Sequence, residues 1–75
     1  MNFADAAAQV LRENGGSLPV AEITQRAMKQ GLISPKSDHP VDYVRAAIRK
    51  DNRRRESRGQ PARFSLTAPG IYGLV

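Results

Sequence analysis

Apolar positions recur along this chain in two rhythms, a helical one up to Ile48 and an alternating one after Ala62. Phe3, Ala7, Val10 and Leu11 fall on one stripe of a helix predicted over Asn2–Asn14, a segment rich in good helix formers. Asn14-Gly15-Gly16 ends it, since glycine reaches the left-handed backbone on which helices close. A second helix is predicted from Val20 to Gln30. Pro19 stands near its start, Glu22 lies in its first turn, Ile23, Ala27 and Val20 give its buried face, and Gly31-Leu32 stops it. The third is announced by "SDHPVDY", with Pro40 at the first helical position and Asp42 in the first turn. Val44 and Ile48, with Val41 and Ala47 beside them, form its inner side. Asp42, Ala46, Arg49, Lys50 and Arg53 form the outer one, and the helix is expected to end between Arg53 and Ser57.

Past Ala62 the period becomes two. Phe64 and Leu66, then Tyr72 and Leu74, alternate with Arg63, Ser65, Thr67, Ile71, Gly73 and Val75. Between the runs, Ala68-Pro69-Gly70-Ile71 has Pro and Gly at the central positions of a type II turn. The pattern predicts a β-hairpin. A lone hairpin is barely stable in water, so Phe64, Leu66, Tyr72 and Leu74 are expected to rest on the helices. Three helices followed by a two-stranded hairpin make an α+β fold with the element order of a winged helix, and Leu18 is placed to add a third strand.

The stretches "AAAQVLRENGGSLPVAEITQRAMKQGLI" and "PGIYGLV" resemble the HARE-HTH domain, and the resemblance covers essentially the whole chain. It implies a winged helix-turn-helix of the kind found in chromatin-associated regulators, restriction-system proteins and the delta subunit of bacterial RNA polymerase. Two departures stand out. His39-Pro40 replaces the Thr-Pro pair that often opens the third helix, leaving Ser37 or Asp38 to cap it, and Asn52 stands where an apolar residue is more usual.

Seventy-five residues bound the chain to one small domain, 1–75. Without cysteine, its stability must come from a single apolar core. No apolar run approaches the length of a membrane span, and the N-terminus lacks a basic leader, so the expected location is intracellular, in bacterial cytoplasm or nucleus. The chain stops almost as soon as the last strand is made, which favours an excised module over a complete protein.

The net charge of +5 changes the picture through its distribution. Residues 1–40 hold four basic and four acidic side chains, whereas residues 41–75 hold eight basic and three acidic, so the whole excess lies in the second half. In a helix-turn-helix, the helix after the turn enters the major groove. Here that helix offers Arg49, Lys50 and Arg53 outward, with Arg45 at the flank. Arg54, Arg55 and Arg58 are read as continuing into the loop before the wing, and Arg63 as opening the wing's first strand. Together they would form one continuous cationic surface able to hold duplex DNA, largely through phosphates. The plain alternative is a solvated face, because surface arginines need no function.

Other residues carry less. Asp51 projects near the apolar side of the third helix, so an ion pair or hydrogen bond with Arg63, Arg55 or the Tyr72 hydroxyl is expected to fasten helix to wing. His39 is the single histidine and reads as a turn residue. Tyr43 could stack on a base or sugar if exposed, but at the edge of the buried face it reads as partial core, and Met28 reads as core or near it. No Gly-rich phosphate loop, nucleophile motif or inward carboxylate pair is present, so neither catalysis nor a cofactor, metal or small-molecule substrate is expected. The competing function is a protein-interaction module within a transcription, chromatin or restriction complex. Its docking surface would be the neutral first two helices, with Ile71 and Val75 outward on the wing as modest further support.

Overall fold

The computed structural model describes residues 1–34 and 38–75, so the capping role considered for Ser37 lies outside the described residues. The elements run α1 (Phe3–Asn14), β1 (Leu18–Pro19), α2 (Val20–Lys29), α3 (Pro40–Ser57), β2 (Phe64–Ala68) and β3 (Ile71–Leu74). The sheet is antiparallel in the order β1-β3-β2, so the expected hairpin gains a third strand at Leu18.

α1 is the centre of the fold. Asn2 caps it by accepting a hydrogen bond from the Asp5 amide at 2.7 Å, and the Gly15 amide closes it on the Leu11 carbonyl. α1 packs against α2, α3 and β3 at once. For this reason Ala4, Ala6 and Ala8 are buried beside the expected Ala7, Val10 and Leu11. Alanine lets three neighbours approach one helix closely, and a single-stripe reading understates that.

Two helices end in the same way. The Leu32 amide donates to the Ala27 carbonyl and the Gly31 amide to that of Met28, the paired bonds of a Schellman motif. At the end of α3, Gln60 donates to Arg55 and Gly59 to Glu56 in the identical pattern, with Gly59 at φ 73°. α3 therefore runs the full 18 residues to Ser57. This corrects the reading of Arg54 and Arg55 as loop residues: both are helical, and Arg58 is the C-cap. At the other end of α3, His39 occupies the N-cap position without a capping bond from its side chain.

The hairpin turns at Pro69-Gly70, with Gly70 at φ 72° as the turn requires. Its tip does not project into solvent: the Val20 amide, at the start of α2, donates to the Gly70 carbonyl at 2.9 Å. Val44 and Ile48 of α3, Ile23 of α2, and Phe64 and Tyr72 of the sheet close the core.

The hairpin's apolar face is only half covered. Phe64 and Tyr72 are buried, but Leu66 is 63% exposed and Leu74 36%. Those two expectations are corrected, and so is Met28, at 39% exposure on the last turn of α2. Alternation assigns a side chain to a face, whereas burial also needs an element lying above it.

Candidate nucleic-acid interface

The cations of α3 and the wing divide according to their acidic neighbours. Asp51 sits where its spacing on α3 places it, against the start of β2. Burial alone would raise its pKa, but hydrogen bonds from Arg63 and Arg55 outweigh that and hold it below the ordinary value. Arg63 binds both Asp51 oxygens, through Nε at 2.9 Å and Nη2 at 3.1 Å, and reaches Asp5 on α1 at 2.7 Å. Its guanidinium also lies 5.3 Å from the centre of the Phe64 ring. Burial acts to lower the Arg63 pKa, and the bonds from Asp5 and Asp51 more than reverse this, so it stays charged. Arg55 completes the cluster through Nε to Asp51 at 3.0 Å. The expected fastening of helix to wing is present, made with both arginines.

Asn52, one residue on, supplies a second clasp. Its amide nitrogen donates to the Phe64 carbonyl at 2.9 Å and its carbonyl oxygen accepts from the Phe64 amide at 3.1 Å. The carboxamide thus imitates a neighbouring strand at the outer edge of β2, a role an apolar residue there could not fill. The side chain marked as a departure from the family pattern has a structural use.

Arg45 pairs with Asp42 at 3.0 Å on the solvent side, an exposed contact of the kind worth little. Arg49, Lys50, Arg53, Arg54 and Arg58 differ from all of these. Each is exposed, and none has an acidic partner at ion-pair distance among the described residues. At 100° per residue, Arg49 and Arg53 form one row of α3 and Lys50 and Arg54 the adjoining row. The result is one cationic strip on the second half of α3, bordered by Asp42 and Glu56.

Of the eight side chains expected in a single ridge, five share this unpaired surface, Arg45 and Arg55 flank it in ion pairs, and Arg63 is drawn inward between α1 and α3. Arg63 is also the only basic residue after Arg58, so the wing offers no unpaired cation. A long-range pair such as Asp5 with Arg63 leaves no trace in local sequence, which explains why the division was not foreseen.

Next to the strip, Tyr43 is 54% exposed rather than partly buried. The Phe3 ring meets it edge-on, with centroids 6.4 Å apart and planes at 84°. Among the described residues, no three His, Cys, Asp or Glu side chains converge as metal ligands, and no helix is long and apolar enough to cross a membrane.

No curated protein and no solved structure matched the chain in comparison. The HARE-HTH family model, which describes the helix-turn-helix domain of ASXL proteins and restriction endonucleases, matches residues 1–74. With three helices leading into a small antiparallel sheet, the chain belongs to the HARE-HTH family of winged helix-turn-helix domains.

Proposed function

We propose that this domain binds duplex DNA, mainly through phosphates, with the outward face of α3 in the major groove. The observation that carries the reading is the strip of Arg49, Lys50, Arg53 and Arg54, with Arg58 at its end, exposed and without acidic partners among the described residues. Unpaired guanidinium and ammonium groups at helical spacing suit a polyanion, which releases its counterions as they bind. Family membership supports the same reading. The wing's part is to brace α3 through Asp51, Asn52 and Arg63, with no cation of its own on the phosphates. No catalytic step is assigned to the domain.

The first half of α3 turns Asp42, Tyr43 and Ala46 outward, a face with few donors for guanine. Affinity on this reading exceeds base discrimination. The test is a titration of duplex DNA at several salt concentrations. Each phosphate neutralised adds about −0.9 to the slope of log K against log salt, so four to five contacts give about −4. A flat response, or no binding at low salt, overturns the reading. That result would favour docking of a protein partner, for which exposed Leu66 and Val75 on the wing are the specific support.

A further inference from the structure

Tyr43 is an exposed aromatic side chain that phosphate binding leaves unused. Along α3, Tyr43, Ala47, Lys50 and Arg54 lie at i, i+4, i+7 and i+11, which places them on one stripe of the helix. Long side chains on a helix lean toward its N-terminus, so Lys50 reaches back toward Tyr43. The N-terminus of α1 runs alongside: Asn2 and Phe3 line an open hollow together with Ala47, Lys50 and Arg54. Phe3 holds the Tyr43 ring at a fixed angle, which leaves little ordering to be done when a flat ligand arrives. Asp51 also borders the hollow, but Arg55 and Arg63 neutralise it, so it does not repel an anion.

A flat apolar face with cations one to three turns away suits a nucleotide whose base is unstacked. A base inside a duplex hides both faces in the stack and cannot use such a platform. We infer that the Tyr43 strip is a binding site for an unpaired nucleobase at the end of a duplex. Tyr43 stacks on the base while Lys50 and Arg54 hold the adjoining phosphates. The inference rests on the nucleic-acid reading of α3 and narrows its substrate to duplex DNA carrying a single-stranded extension.

The test is fluorescence anisotropy with a labelled blunt duplex and the same duplex bearing a short single-stranded extension, for the wild type, Tyr43→Ala and Tyr43→Phe. The extension is expected to tighten wild-type binding by about five- to a hundredfold, which is what a stacking gain of about 1–3 kcal/mol amounts to. Tyr43→Ala removes this gain and leaves blunt-duplex affinity within about twofold, whereas Tyr43→Phe keeps it. Equal wild-type affinity for the two DNAs overturns the inference. So does a gain that survives in Tyr43→Ala, which would come from extra phosphates alone. In either case, salt-dependent binding of the blunt duplex leaves the phosphate reading intact. If neither DNA binds, both readings fall.

Discussion

Arg53 and Arg63 lie ten positions apart in one basic stretch and have different surroundings. Arg63 is 24% exposed, fixed by both oxygens of Asp51 and by Asp5, and joins α1, α3 and β2. Arg53 is exposed on the outer side of α3 with no acidic partner among the described residues. One holds the fold together, and the other is available to a ligand. A charge count treats them alike. What separates them is where the acids are, and for Asp5 that is decided by tertiary packing across 58 positions.

Removing one whole class at once is the strongest challenge to this contrast. Replacing Arg49, Lys50, Arg53 and Arg54 together by Ala should lower the salt slope by about 3.6 and weaken duplex binding by more than tenfold at low salt. Circular dichroism should show the fold retained. Next is the cluster itself: Asp51→Ala leaves Arg63 and Arg55 facing each other and should cost about 2–3 kcal/mol, a fall of roughly 10 °C in the thermal midpoint. An unchanged midpoint would show that the ion pairs contribute nothing.

Removal of the second clasp is a smaller effect. Asn52→Ala strands the Phe64 amide and carbonyl at the edge of β2, and denaturant unfolding should register a loss of about 1–2 kcal/mol. The pH response follows from Asp51, whose pKa is lower in the folded state than in the unfolded one. Its contribution is fully present above the ordinary carboxylate range and is lost as pH falls through the folded value. Stability should therefore drop below about pH 4, less steeply in Asp51→Asn. The smallest effect is expected at the border of the strip. Glu56→Gln removes an acid one helical turn from Arg53 and should tighten DNA binding by a few fold, with the midpoint within about 0.5 kcal/mol of wild type.

Local chemistry made much of the fold legible in advance. Pro40 opening α3, Gly31 stopping α2 and Pro69-Gly70 turning the hairpin are each settled within a few residues, and each stands where the sequence places it. Gly59 carries the same kind of stop signal as Gly31, yet the surrounding "RRRESRGQ" reads as loop because it has no apolar stripe. A helix needs none where it runs past its partners, and Arg and Glu are good helix formers. Exposure of Leu66, Met28 and Tyr43 was not legible, because it depends on which element lies above each. The candidate site was legible as a set of charges and not as a partition of them.

The most direct test measures Arg53→Ala and Arg63→Ala side by side, recording the thermal midpoint and the salt slope of duplex binding for each. The account expects Arg53→Ala to reduce the slope by about 0.9 with the midpoint nearly unchanged. It expects Arg63→Ala to lower the midpoint by several degrees and, at a temperature where the variant is folded, to leave the slope as in wild type. Equal changes in slope for the two variants, or a lower midpoint for Arg53→Ala, would contradict the division of labour between the two arginines.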